Sequence, residues 1–254
     1  ALAVEVFHNF TLMHDDIMDQ APLRRGQVTV HQKWNTNMAI LSGDAMMIES
    51  YRILAQSPST HLPALLQTFN EVALGVCKGQ EMDMAFESRQ NVHHDEYLEM
   101  IRLKTAILLG GALQLGGIIA NAPKETQAHL YKIGEELGLA FQLRDDLLGV
   151  FGDPAETGKP AGDDLREGKR TALIAYAYDR GDAATKNLIE QKLGTADIDG
   201  LADAIESSGA PTHVEDLIEK LAEAALDAVE RDDLNNEAKT LLIEMVGVVT
   251  KRNR

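Results

Sequence analysis

The sequence predicts an all-α protein, folded as a single domain over residues 1–254. Three observations predict it. Apolar residues recur at helical spacing through most of the chain. No stretch alternates apolar and polar residues as a half-buried strand does. Clusters of Val, Ile and aromatic residues bounded by hairpin turns are absent.

Taken in order, the first helix runs from Leu2 to Asp19. Ala21-Pro22 ends it, because proline lacks an amide hydrogen and restricts the residue before it. Residues 20–33 read as a loop. A second helix fits Trp34–Ala55 and stops at Ser57-Pro58-Ser59, and a third fits Leu62–Glu87. After the polar stretch 88–94, Asp95 is a plausible N-cap. The helix it opens runs through ILLGGALQLGGII to the break at Asn121-Ala122-Pro123, and Lys124–Phe151 follows. Residues 152–169, GDPAETGKPAGDDLREGK, carry two prolines, four glycines and charges of both signs. In a compact helical domain so long a non-periodic stretch is usually functional or disordered. Arg170–Arg180, Ala183–Lys192, Asp197–Ser207, His213–Arg231 and Asn235–Lys251 also read as helices, so the set is long enough for a bundle.

The 254 residues suffice for a real core. Hydrophobic residues are 44% and charged residues 25%, ordinary for a globular chain. The net charge of −16 disfavours nucleic acid and anionic lipid as partners, but leaves room for a local basic pocket. Cys77 is the single cysteine, which argues for a reducing, cytoplasmic setting. No run of about 18 uncharged apolar residues marks a membrane span. The start, ALAVEVFHNF, lacks the basic region of a signal peptide. It reads as the middle of a helix without a leader.

Asp15 and Asp19 stand four residues apart, so a helix puts both carboxylates on one face. Like charges there repel. A hard divalent cation relieves this, since Mg²⁺ takes oxygen ligands from one or two carboxylates plus substrate phosphates. Asp16 lies about 100° around the helix and supports the site from the side. A second acidic pair, Asp145-Asp146, follows 130 residues later in FQLRDDLLG. With Gln142 it makes an i, i+3, i+4 face between apolar residues. Buried carboxylates are costly unless paired or metal-bound. The adjacent Arg24 and Arg25 suit the anion that such a metal also touches. Lys104-Thr105 lies on the glycine-rich helix, Lys159 and Lys169 each follow a glycine, and Gln80 and Asp83 share a helix face. The glycines 110, 111, 116 and 117 read as sites of close helix packing.

These motifs resemble the trans-isoprenyl diphosphate synthases, and the likeness spans nearly the whole chain. HDDIMDxxxxRRG matches the family's first aspartate-rich motif. GQxxD (79–83), KT (104–105), FQxxDD (141–146) and GDxxxTGKPxGxDLxxGKxT (152–171) follow in the family's order. The resemblance implies an antiparallel bundle around a central cavity, the isoprenoid synthase type. It implies three Mg²⁺ ions bound with the substrate diphosphate, chelated by Asp15 and Asp19 from one side and by Asp145 from the other. Arg24, Lys104, Gln142 and Lys159 would grip the allylic diphosphate, and Arg25 that of isopentenyl diphosphate. Gln80 and Asp83 would reach the same cavity. Lys104, Thr105 and Gln142 would lie near the allylic cation, and Lys169 near pyrophosphate. Asp15, Asp145, Lys104 and Gln142 would thus carry the catalysis, and a homodimer is expected. Phe10 and Thr11, five and four positions before the first aspartate, would help close the tunnel for the growing chain. One aromatic and one small residue there resemble the synthases that make the C20 product, geranylgeranyl diphosphate, with C15 farnesyl diphosphate as the alternative.

Two departures stand out. Gly149 occupies the place of the family's third aspartate in the second motif. The family's glycine-lysine-arginine-proline motif, on helices before the first aspartates, has no counterpart, so a fragment without those N-terminal helices is expected. A class I terpene cyclase shares DDxxD but differs at the second metal motif. A catalytically inactive regulatory subunit would account for both departures.

Overall fold

The computed structural model describes residues 1–89, 91–154, 160–231 and 234–250, without the side chain of Arg231. Apart from two two-residue strands, the regular structure among these residues is helical. The chain forms two compact units, one of Ala1–Asn70 with Ile118–Asn121, the other of Glu71–Gly117 with the described residues from Ala122 onward.

In the first unit α1 (Leu2–Met18) packs on α3 (Thr36–Leu54). Phe7, Phe10, Leu54, Leu65 and Phe69 are buried there. Phe69 meets Phe7 edge-on at 5.2 Å and Tyr51 at 5.1 Å between ring centroids. Offset and edge contacts of this kind suit the ring quadrupoles. α1 ends as Gln20 turns left-handed, at φ 51°. The stretch expected as a loop contains a hairpin, β1 (Leu23–Arg24) paired antiparallel with β2 (Gln27–Val28). Arg25 and Gly26 take φ 52° and 74°, the two left-handed residues of a type I′ turn. A short α2 (Val30–Lys33) precedes α3, which begins two residues later than expected. The side chain of Asn35 accepts the amide of Met38 at 2.9 Å and so sets the start.

α4 (Leu62–Glu87) has the expected bounds. Its residues from Glu71 belong to the second unit, with α5 (His94–Ile101), α6 (Ile107–Ile119) and α7 (Lys124–Phe151). The next helix starts at His94, not after Asp95, because Glu96 reaches back to the amide of His93 at 3.1 Å. Between α5 and α6 the helix widens into a π turn, Arg102–Ala106. Among the described residues there follow α8 (Asp163–Glu167), α9 (Ala172–Arg180), α10 (Ala183–Lys192), α11 (Leu201–Ser207) and α12 (Ala210–Arg231). α13 (Asn236–Thr250) is the last described element. α8 lies within the long stretch expected to be non-periodic, held between Gly162 and Gly168 at φ 73° and 77°. α7 packs along α12, and their buried residues include Ile133, Leu137, Ala225 and Val229. Burying each large aliphatic side chain contributes about 1.5–3 kcal/mol.

Gly79 lets α4 touch the π turn: a Cβ there would lie 2.2 Å from the backbone nitrogen of Lys104. Three of the four glycines expected to serve packing do so. A Cβ on Gly110, Gly111 or Gly117 would meet Tyr131, Val72 or Leu130 within 3 Å, whereas Gly116 faces open space. The helical run His94–Ile119 is apolar and long enough to cross a membrane on length and composition alone. Half of its most apolar window is buried inside the protein, as in the core helix of a globular domain.

Gly79→Ala should therefore destabilise the protein by about 1–3 kcal/mol in urea unfolding, as overpacking does, although alanine is the better helix former. An unchanged or raised midpoint would show that the π turn yields without cost.

Candidate functional site

The first unit gathers its acids at the carbonyl end of α1. Asp15 and Asp16 lie in its last turn and Asp19 is its C-cap. A helix C-terminus carries partial negative charge, so three carboxylates there are disfavoured without cations. The hairpin supplies one. The Arg24 guanidinium donates from Nε to Asp16 Oδ1 at 2.8 Å and from Nη2 to Asp15 Oδ2 at 3.0 Å. Burial alone would lower the pKa of Arg24, but Asp16 and Asp15 outweigh it and hold the group above its usual value. Asp16 is buried and grips Arg24. The hairpin is pinned in turn by Thr29, whose hydroxyl donates to Ala21 O at 2.7 Å. Arg25 stands in the turn and is exposed, as is Asp19.

Further up α1, Phe10 is buried against Phe7, and its centroid lies 4.8 Å from that of His14. Thr11 donates its hydroxyl to His8 O at 2.8 Å, so it is spent within its own helix. His14 reaches Ile40 O on α3 at 3.2 Å, over Gly43, where any Cβ would collide with its ring.

The second unit assembles the other candidates around Asp146. This carboxyl is buried, while its neighbour Asp145 is exposed, so the pair divides although apolar flanks predict burial for both. Tyr97 of α5 donates its hydroxyl to Asp146 Oδ2 at 2.7 Å, and the Ala172 amide donates to the same oxygen at 2.9 Å. The Gln142 amide donates to Oδ1 at 3.1 Å, and the Gln142 carbonyl accepts from the Thr105 hydroxyl at 3.2 Å. Burial raises the pKa of Asp146 to about 7, despite three donors that favour the charged form. Lys104, on the π turn, pairs with Asp83 of α4 at 2.5 Å. Gln80, one turn before Asp83, has a buried amide nitrogen with no hydrogen-bond partner among the described residues. Lys169 pairs with Asp164 at 2.9 Å and Glu167 at 2.8 Å. Burial would lower the Lys169 pKa, but these carboxylates raise it. Lys159 lies outside the described residues.

Tyr97, Asp164 and the anchoring part played by Asp16 went unread in the sequence. Asp164 carried a signal, its place in the GxDL run. Tyr97 carried none, since a lone tyrosine on an apolar helix looks like core.

The donor set fits a magnesium ion. In the first unit Asp15 and Asp19 are hard oxygen donors a turn apart, in the second Asp145 is another, and Mg²⁺ is commonly held by one or two carboxylates with waters and substrate oxygens. Among the described residues no three such side chains form a ready-made metal cage.

The family model for polyprenyl synthetases matches residues 1–207. The chain belongs to this family. It is 36% identical over 259 residues to a geranylfarnesyl diphosphate synthase from Aeropyrum pernix, covering 99% of this chain and 81% of that protein. It is 34% identical to a geranylgeranyl diphosphate synthase from Saccharolobus solfataricus, over the whole of this chain and 79% of that protein. Its fold matches a geranylgeranyl pyrophosphate synthase from Corynebacterium glutamicum complexed with isoprenyl diphosphate and magnesium. That match has a TM-score of 0.88 and 32% identity, covering 98% of this chain and 77% of the other. Polyprenyl synthetases in general depend on magnesium, and their substrates are isopentenyl and allylic diphosphates.

The raised pKa of Asp146 has a pH signature. The native carboxyl holds its proton up to about pH 7, whereas an unfolded aspartate loses it near pH 4. The native state thus binds more protons in that interval, and this group's contribution to stability falls as pH rises from about 4 to about 7. In chelator-treated buffer, urea unfolding of the wild type should lose stability relative to Asp146→Asn across that window. Parallel pH profiles of the two proteins would count against it.

Proposed function

We propose that this trans-prenyltransferase condenses isopentenyl diphosphate with an allylic diphosphate and makes geranylgeranyl diphosphate as its main product. The observation that carries the reading is the pairing of cations and acids at the family's motif positions: Arg24 with Asp15, and Lys104 with Asp83. In this reading Arg24 stands beside a metal-binding acid and Lys104 beside a substrate-binding one. The named products of the Saccharolobus and Corynebacterium relatives support the C20 assignment.

Asp15, Asp19 and Asp145 would hold three Mg²⁺ ions with the substrate diphosphate. When bound, the metal neutralises charge on the departing diphosphate. Arg24, Lys104, Lys159 and Gln142 would bind the allylic diphosphate and orient its C–O bond for heterolysis. Fixed cations of this kind favour the leaving anion over the ground state. Arg25 would bind the diphosphate of isopentenyl diphosphate, and Gln80 offers its unpartnered amide to a further anionic oxygen. Lys169 would stand by the pyrophosphate released. The Thr105 hydroxyl and Gln142 carbonyl, held together by their hydrogen bond, would stabilise the allylic cation. The double bond of isopentenyl diphosphate then attacks C1 of that cation, and the departed diphosphate takes the proton. Tyr97 and Asp146 act through Gln142 by fixing its amide.

Phe10 closes the tunnel for the growing chain in this reading, being a buried ring on the first-motif helix, with Thr11 beside it. The protein works as a cytoplasmic homodimer. Exposed Met38, Leu41 and Ile48 recur along one side of α3 and give such an interface an apolar surface.

Incubation with Mg²⁺, an allylic diphosphate and labelled isopentenyl diphosphate should give a C20 diphosphate. A hydrocarbon product would indicate a cyclase, and no product a regulatory subunit. Asp15→Ala and Asp145→Ala should each lower turnover at least 100-fold (on the order of 3 kcal/mol of transition-state stabilisation) with far-UV circular dichroism unchanged. Activity within a few-fold of wild type would sink their assigned roles. Phe10→Ala should lengthen the product, and an unchanged length would place the tunnel floor elsewhere. Sedimentation should return twice the chain mass of 27.8 kDa at micromolar concentration, and a lone monomer would refute the dimer.

A further inference from the structure

Gly149 and Asp164 share one volume. Gly149 sits four residues after Asp145 on α7, so a side chain there would project on the Asp145 face one turn along. A Cβ at 149 would lie 1.9 Å from Asp164 Oδ2 and 2.6 Å from its Cγ. The Asp164 carboxyl therefore already occupies the place into which an acid at 149 would point. It is buried on α8, and Lys169 fixes it with Nζ 2.9 Å from Oδ1. It also lies close enough to Asp146 to help raise that group's pKa. Glycine inside a helix weakens it, so α7 gives up helix stability at 149, and the space it frees is filled by another residue's carboxylate.

We infer that Asp164, delivered from α8, serves as the third acid of the second aspartate-rich motif and that Gly149 is the vacancy cut for it. Asp164 is then a positioning residue of the diphosphate site, setting Lys169 and presenting its own charge on the Asp145 face. The inference rests on the proposed diphosphate chemistry, and two separate readouts distinguish its failure from that of the proposed function.

The first readout is thermal unfolding of the full chain. Gly149→Ala should lower Tm in the wild-type background, where the added methyl meets Asp164. In the Asp164→Gly background the same change should raise Tm, since alanine then only improves the helix. Should Asp164→Gly fail to fold, Asp164→Ala provides the background, with a smaller but still upward change. A rise in Tm for Gly149→Ala in the wild type would overturn the shared volume.

The second readout is the Tm increase produced by Mg²⁺ with inorganic diphosphate, titrated for apparent affinity. Asp164→Gly should weaken it about tenfold or more. Gly149→Asp/Asp164→Gly should recover most of that loss, and Gly149→Asn/Asp164→Gly should not. Equal recovery by aspartate and asparagine, no loss in Asp164→Gly, or no diphosphate-dependent increase in the wild type would each overturn the role of the acid. Wild-type protein that shows the increase yet makes no prenyl product would sink the proposed function and leave this inference standing.

Discussion

The second unit is organised by one buried carboxyl. Asp146 accepts hydrogen bonds from Tyr97 on α5, from the first amide of α9 and from Gln142 on its own helix. An acid in that position costs several kcal/mol unless its oxygens are satisfied, so each donor is needed where it stands. The amide of Ala172 opens α9, where the helix dipole favours negative charge, and Asp146 in effect caps it. At the far end of α9, Asp179 returns the arrangement: it accepts the His94 amide at 2.9 Å, at the start of α5. Three helices remote in sequence are thus locked by two carboxylates.

The candidate site inherits its geometry from this lock. Gln142 is held by Asp146 on one side and by Thr105 on the other. Thr105 and Lys104 lie on the π turn, where the helix departs from regular winding, as π turns often do at functional sites. The turn is seated against Gly79, whose missing side chain lets α4 approach and brings Asp83 to Lys104. A glycine, a π turn and a buried acid together aim one lysine.

Three described cations of the candidate site rest on acids. Arg24 bridges Asp15 and Asp16, Lys104 meets Asp83, and Lys169 meets Asp164. These pairs neutralise charge that would otherwise accumulate at the end of α1 and beside Asp146. Exposed ion pairs add little to stability. Their value here is to keep a cation and an acid side by side within each unit, ready for ligands that carry both signs.

The sequence by itself determined the helices and the motif residues. α4, α7 and α10 have the bounds that periodicity assigned them, because the 3.6-residue repeat and the breaks that stop it are local properties of the chain. The candidate aspartates stand out for a similar reason, as like charges on apolar helices, whereas the single lysines become candidates only together with the motifs around them. Tertiary structure decided what adjacency conceals. Asp145 and Asp146 are neighbours, yet one is exposed and the other buried, because burial depends on α5 and α9 arriving at one side of α7. The hairpin at Arg25-Gly26 and the π turn at Lys104 depart from local preference and depend on partners elsewhere in the chain. Gly149 read as a missing acid only because Asp164 is fifteen residues away in sequence. In space its carboxylate fills that position, and only the packing of α8 on α7 brings the two together.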